Sequence, residues 1–295
     1  MSERIAESEL IINPDGSVFH LHILPEELAD LVILVGDPGR VDMVASYLDE
    51  GSIECSKASR ELHTVTGRYN GRRISIISTG MGTDNIDIVM TELDALANID
   101  FKTRLPKKEH RKLTILRVGT SGAIRPEIPL GSYVFSKMSV GFDSVLNWYA
   151  DGEKVREDDI EKAFVKYMDW PERFSAPYFV KAGERLAKAF EAKTIQGVTM
   201  SAPGFYGPQG RSVRMKLTVP DLVQKMEGFE FGEWKITNIE MESSALAGMS
   251  AVLGHEAGTV CLIIANRYAL ESNPDYKPLM EGLVRLALET LTSMI

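Results

Sequence analysis

Two arginines stand where apolar runs end. In "LVILVGDPGR" (31–40), five apolar residues lead into Gly-Asp-Pro-Gly, and Arg40 follows. In "LTILRVGTSGA" (113–123), Arg117 falls within or just after a second apolar run, ahead of Gly119, Thr120, Ser121 and Gly122. A buried guanidinium without a partner is costly, so its place in such a run needs a reason. A bound anion supplies one. Gly36 lets the backbone turn sharply, Asp37 suits a helix N-cap and Pro38 the first helical position. The N–H groups and partial positive charge of the helix start then attract an anion, and Arg40 adds a full charge in the first turn. For 31–40 alone, a capped helix with its arginine on a surface carboxylate explains as much. A third glycine turn, "STGMGTDN" (78–85) with Gly80 and Gly82, also follows an apolar run. Three such turns favour a ligand at the carboxyl ends of strands in an α/β sheet. None of them reads GxGxxG or GxxxxGK[ST], so a dinucleotide dehydrogenase and a P-loop NTPase lose support.

Other stretches carry hydrogen-bonding chemistry. "GFYGPQGR" (204–211) combines glycines with Phe205, Gln209 and Arg211. Gln209 has a donor and an acceptor, and Arg211 a donor fork; together they can read a carbonyl–NH–carbonyl edge such as that of uracil, with Phe205 stacked on the ring. A polar surface loop is the plainer alternative. "NIEMESSALAG" (238–248) sets Glu240 and Glu242 around Met241. Glu242 can accept two hydrogen bonds from a vicinal diol such as that of ribose; alternatively the two glutamates only favour a helix dipole. "SVFHLHI" (17–23) alternates as a surface strand does, with Phe19, Leu21 and Ile23 on one face and His20 and His22 on the other. With no further ligand cluster in the sequence, this pair is read as surface strand and not as a metal site. Arg60 in "ASREL" and Arg267 in "IANRYAL" have no local explanation.

The elements that must position these residues follow from hydropathy. Short apolar runs at 31–35, 74–78, 113–118, 195–200 and 260–265 suit strands buried on both faces. Between them, Ile86, Val89, Leu93 and Leu96 share a helical face behind a cap at Thr83 or Asp84. Residues 241–253 read as a helix stopped by Gly254, and the last seventeen or so residues as another, with Leu279, Leu283, Ala287, Leu291 and Met294 along one side. Alternating strands and helices predict an α/β sandwich with a largely parallel or mixed sheet, one domain over 1–295. Two charged stretches, 102–112 and 151–163, are expected to be solvated loops or surface helices.

Composition narrows the class. Of 295 residues, 44% are hydrophobic and 25% charged, as in ordinary globular proteins, and no apolar stretch nears the length of a membrane span. The start is charged, without the apolar core of a signal peptide. Two distant cysteines, Cys55 and Cys261, suit reduced core thiols and a cytoplasmic setting. A net charge of −9 with one basic run argues against nucleic-acid or anionic-membrane partners.

Taken in order, "VFHL", "GDPGR", "SREL", "STGMG", "RVGTSGAI", "FYGPQGR", "IEMESS" and "ANR" resemble the nucleoside phosphorylase-I family over nearly the whole chain. Each motif is weak; their shared order is specific. The resemblance implies a three-layer α/β/α sandwich with a central mixed sheet, and reversible phosphorolysis, uridine plus phosphate giving uracil plus ribose 1-phosphate, a step of pyrimidine salvage. It implies a homo-oligomer, at least a dimer with shared active sites, and no organic cofactor, phosphate being a co-substrate. Phosphate would be held by Gly36, Arg40, Arg117 and Thr120, with Arg60 reaching in from a neighbouring subunit. Ribose would meet Thr120, Met241 and Glu242, and the neighbour's His20 would face the 5′-hydroxyl. Phe205, Gln209 and Arg211 would hold the base, and Arg267 would order its pocket. The chemistry would rest on Arg40, Arg117, Gln209, Arg211 and Glu242.

The chain departs from the family pattern in places. Ser59 replaces a frequent histidine, and Gly207-Pro208 reverses the usual Pro-Gly. Some members bind a monovalent cation near positions matching Glu61, Met81 and Asn85; Asn85 replaces a serine there, which speaks against that site. The charged stretches at 102–112 and 142–178 are longer than in compact members. A purine nucleoside phosphorylase or a nucleosidase of the same superfamily is the nearest alternative, and a non-catalytic nucleoside sensor is another. Purine enzymes of the superfamily typically carry Ser-Asp where this chain has Ala265-Asn266-Arg267.

Overall fold

A computed structural model describes residues 4–294. The strands are β1 (Leu31–Val35), β2 (Cys55–Ser59), β3 (Leu62–Tyr69), β4 (Arg72–Ser78), β5 (Ile99–Asp100), β6 (Leu105–Pro106), β7 (Thr114–Ala123), β8 (Tyr133–Gly141), β9 (Tyr178–Lys181), β10 (Ile195–Ser201), β11 (Glu230–Phe231), β12 (Trp234–Glu240), β13 (Glu256–Asn266) and β14 (Glu271–Ser272). The α-helices are α1 (Pro38–Ala45), α2 (Thr83–Asn98), α3 (Asp158–Met168), α4 (Glu184–Phe190), α5 (Leu222–Gly228), α6 (Ser243–Leu253) and α7 (Lys277–Ser293).

Twelve strands form one mixed sheet, in the order β11-β12-β10-β8-β13-β7-β1-β4-β3-β2, with β9 on β8 and β14 on β13. Its middle is parallel, β4, β1, β7 and β13 running together. The end of β12 also pairs antiparallel with β7, Asn238 opposite Ala123 and Ile239 opposite Gly122. The strands β7, β13, β8, β10 and β12 thus close on themselves, and the closure gathers the carboxyl ends of three of them.

Alternation along β1 shows how the layers form. Val32 and Leu34 pack with α2 and α6, while Ile33 and Val35 pack with α1, α4 and α7. Helices on both faces of a mixed sheet make the expected sandwich. A third cluster, with Phe164 of α3 and Met226 of α5, covers the β10–β12 end.

Several expectations need correction. "SVFHLHI" is not a strand: it is a turn tied by one bridge, Ile12 with Val18, and His22 has a φ of 54°. Burial of Val18, Leu21 and Ile23 against the sheet overrides the alternation. "RVGTSGA" is not a turn but the last seven residues of β7, held by seven of that strand's ten residue pairs with β13 and by β12. Gly82, not Thr83 or Asp84, is the N-cap of α2. Glu242 caps α6, so Met241 precedes that helix. In α7, Leu279 faces outward and the buried face begins at Met280. The basic stretch 102–112 is pinned more than a solvated loop would be: buried Arg104 donates to the Leu10 carbonyl at 2.7 Å, and Arg111 pairs with Asp30 at 2.6 Å. The stretch 151–163 does enter a surface helix, α3, whose Ile160, Phe164 and Met168 face inward.

Gly141 ends β8 where a side chain has no room. A Cβ there would lie 2.4 Å from the ring of Tyr178 and 2.7 Å from an Asp143 carboxylate oxygen. Gly141→Ala is expected to destabilise the fold by about 1–3 kcal/mol through overpacking. Equal melting midpoints in urea for variant and parent would contradict this packing.

Candidate active site

A cavity of about 750 Å³ opens at the carboxyl ends of β1, β7, β12 and β13. It is lined by Gly36, Arg40, Arg117 and Thr120, by Met241 and Glu242, and by Phe205, Gln209, Arg211 and Arg267. Residues from five separate stretches therefore share one cavity. His20 and Arg60 do not line it.

The anion-binding features begin with α1. Asp37 caps it, accepting from the Arg40 N–H at 3.0 Å, and Pro38 takes the first turn. The Arg40 side chain is mostly buried and lies 3.4 Å from the exposed Asp37 carboxylate. Arg117 is fully enclosed. It donates to Glu240 at 3.2 Å and also to Glu242. Its Nε is buried and has no hydrogen-bond partner among the described residues. Burial opposes the charge of Arg117, but Glu242 and Glu240 outweigh it and hold the guanidinium above its ordinary range. Burial pushes Glu242 upward; Arg117 offsets part of this and Glu240 adds to it. Two carboxylates share one guanidinium, and a polar atom of that guanidinium is left unused. Gly119 makes the arrangement possible, since a Cβ there would lie 2.3 Å from Arg117 Nη1. Behind Arg117, burial pushes the Cys261 thiol up to about 12.

Glu240 is the functional neighbour whose role the sequence left open. Besides Arg117, it accepts from the backbone N–H groups of Glu242 and Ser243 and from the hydroxyls of Ser201 and Ser243, at 2.6–3.0 Å. A carboxylate so fully hydrogen-bonded is a fixed anchor for Arg117 and for the start of α6. Its signal in the sequence was spacing: residues 240 and 242 flank one methionine where a strand ends. Glu242 also accepts from the Gly82 N–H at 2.7 Å, which ties the 80–85 turn to the cavity.

The flat-ligand features come from the loop after β10. Gln209 is buried although its loop is exposed. Arg211 donates to the Gln209 side-chain oxygen and, at 2.7 Å, to the Phe205 carbonyl. Arg267 donates to the Gln209 carbonyl at 3.0 Å. Burial, with Arg267 nearby, lowers Arg211 to about 10. The Phe205 ring is stacked under the Arg211 guanidinium at 3.9 Å, so one of its faces is taken by a cation and not open to a ligand. Gly207-Pro208-Gln209 forms a single 3₁₀ turn, which sets Gln209 inward.

Asn266, at the end of β13, is committed elsewhere. Its amide donates to the carbonyls of Arg125 and Ile128, and its oxygen accepts from the N–H groups of Tyr268 and Ala269. His20 is held by Glu92 of α2 through its backbone and, at 2.7 Å, its ring. Arg60 stands exposed at the tip of the β2–β3 hairpin, with a φ of 54°. Glu61 and Asn85 both close on Gly80, and the Asn85 amide fills the space a side chain would need there. Among the described residues, no three His, Cys, Asp or Glu side chains group as metal ligands would, and no helix is long and apolar enough to cross a membrane.

Comparison with known proteins gives this geometry a family. The profile described as Phosphorylase superfamily matches residues 30–285. The uridine phosphorylase of Thermococcus kodakarensis is 28% identical over 271 residues, covering 92% of this chain and 85% of the relative. That of Escherichia coli is 31% identical over 257 residues, covering 85% and 87%. A purine nucleoside phosphorylase of the DeoD type from Streptococcus suis is 23% identical over 280 residues, covering 92% and 98%. Among solved structures, a Trypanosoma brucei nucleoside phosphorylase described as showing uridine phosphorylase activity superposes with a TM-score of 0.88 at 31% identity, covering 96% of this chain and 99% of the other. With a family profile spanning most of its length, the chain belongs to the phosphorylase superfamily, in the family of nucleoside phosphorylases that its motifs resemble.

Proposed function

We propose that this pentosyltransferase is a uridine phosphorylase, joining phosphate to the ribose of uridine with release of uracil. The observation that carries this reading is the union, in one cavity, of the Arg40–Arg117 pair with buried Gln209 and its half-buried partner Arg211. Phosphate would lie on Arg40, Arg117, Thr120 and the Gly36 turn. It would compete with Glu242 for Arg117 and engage the idle Nε. Glu242, partly released, would accept from the ribose diol, with Met241 against the sugar. Gln209 and Arg211 would then meet the two base oxygens and the NH between them.

In the forward reaction a phosphate oxygen bonds to C1′ as the C1′–N1 bond breaks. The bond's electron pair leaves with uracil, whose negative charge spreads to its oxygens. Donors aimed there act where charge develops, which lowers the barrier and does not simply tighten binding. The uracil anion takes its proton from solvent. Arginines holding phosphate beside the sugar supply proximity. No side chain serves as a nucleophile.

Asn266 favours a pyrimidine over a purine. A purine leaving group is helped by an acid that protonates its ring, and Asn266 is a neutral amide with both ends occupied. The retained arginine pair favours phosphorolysis over hydrolysis. Release of base from uridine is therefore expected to require phosphate and to exceed release from inosine. Faster turnover of inosine would remove the pyrimidine reading; equal rates without phosphate would make the protein a nucleosidase.

We also infer a homodimer with shared sites, at least, because His20 and Arg60 lie outside their own cavity. Met81 and Trp148 are exposed apolar side chains close to α2, on which His20 rests.

A further inference from the structure

A second cavity, of about 820 Å³, shares the 203–219 loop with the first. Phe205 and Gln209 line the candidate active site, Tyr206 and Pro208 line this one, and Arg211 reaches both. Its wall is aromatic. Trp170 packs edge-to-face with Phe142 at 4.6 Å and with Phe174 at 5.7 Å, and both Phe174 and Tyr206 are exposed. The same cavity is lined by Arg211, Arg214 and Lys216 and by no aspartate or glutamate. Neither Arg214 nor Lys216 has a carboxylate partner among the described residues. In a chain of net charge −9, this is a local concentration of unpaired positive charge beside uncovered rings. Val213 and Met215, on the same loop, are 82% and 81% exposed.

Rings offered by Trp, Phe and Tyr attract a flat π-system through edge and face contacts, and cations above such rings favour anions that bring their own aromatic body. Inorganic phosphate would leave the rings unused. An uncharged nucleoside would leave the cations unpaired. We propose that this cavity binds an aromatic anion of the nucleoside monophosphate class, its base among Trp170, Phe174 and Tyr206 and its phosphate on Arg214 and Lys216. Because Arg211 also holds Gln209, an occupant would act on the base loop of the first cavity. The binding proposal stands apart from the uridine phosphorylase reading, since it is measured without turnover.

The probe is AMP, with adenosine as its uncharged counterpart. AMP is expected to bind saturably by calorimetry and to change tryptophan fluorescence. Trp170→Phe should abolish the fluorescence change, leaving Trp148 and Trp234, while calorimetry still shows binding. Arg214→Glu with Lys216→Glu, both at exposed positions, should weaken AMP at least about tenfold, as loss of one charge-assisted hydrogen bond would. Saturating uridine with phosphate should leave AMP bound. The proposal is overturned if no saturable binding appears below about 1 mM, a weak-binding limit of about 4 kcal/mol. It is equally overturned if adenosine binds as tightly, if the double reversal changes nothing, or if uridine with phosphate displaces AMP.

Discussion

Replacing Arg117 with alanine is expected to reduce turnover by roughly 10²–10³ and to raise the phosphate concentration required, the scale seen when one preorganised charge-stabilising donor is lost. It should also weaken the fold. Arg117 lies between Glu240 and Glu242, all three buried, and its removal leaves two carboxylates facing each other without a cation. Breaking a buried pair in this way costs about 3–5 kcal/mol. The pH dependence separates the two effects. Glu242 is already raised in the folded protein by burial and by Glu240, and losing Arg117 raises it further. A carboxyl group raised on folding favours the fold while protonated, at low pH, and that contribution is lost as pH rises through the folded value. The variant's melting temperature should therefore drop more steeply than the parent's as pH rises above the ordinary carboxylate range. Arg40→Ala is the companion: mostly buried but paired only with an exposed aspartate, it should lose phosphate affinity with little change in melting. Unchanged phosphate kinetics in both variants would remove the proposed anion site.

What could be read from the sequence was what the sequence decides locally. The cap of α1 is such a case: Gly36, Asp37 and Pro38 specify a turn, a cap and a first helical residue within three positions, and each takes that role. The buried strands were legible as apolar runs because both faces of the sheet are covered. The misreadings share a non-local cause. Glycines and hydroxyls at 119–122 suggest a turn, yet four pairs with β13 and the arrival of β12 keep them extended. "SVFHLHI" alternates like a strand but has no strand to pair with beyond one bridge. The β2–β3 hairpin was missed because its edge strand, "CSKAS", is largely polar. At the site, residue types indicated which groups can bind an anion, a diol or an imide. They could not show that Arg117 is already held by Glu240, or that Arg211 covers one face of Phe205.

Mixing two weakly active variants is expected to restore activity. Arg60 sits at a hairpin tip with a φ of 54° and lies outside its own cavity. Two-residue hairpin loops favour positive φ at their first central residue, so the turn accounts for the backbone there, while the exposed cationic side chain still lacks a partner among the described residues that explains it. Contribution of that side chain to a neighbour's phosphate would supply one. In a two-fold dimer each subunit gives what it receives, so both sites would be completed reciprocally. Arg60→Ala would then remove a group donated to the partner's site, while Arg211→Ala removes one from the subunit's own. In a hybrid dimer one site carries both lesions and the other carries neither. With random pairing about half the dimers are hybrids, each with one intact site of two, so the refolded mixture should approach about a quarter of parental activity. Differently tagged chains, purified through both tags, isolate the hybrid and should show about half. Purified hybrids no more active than the mean of the two variants would place Arg60 in its own subunit's chemistry, and the shared site would fail even if phosphate binding by Arg40 and Arg117 stood.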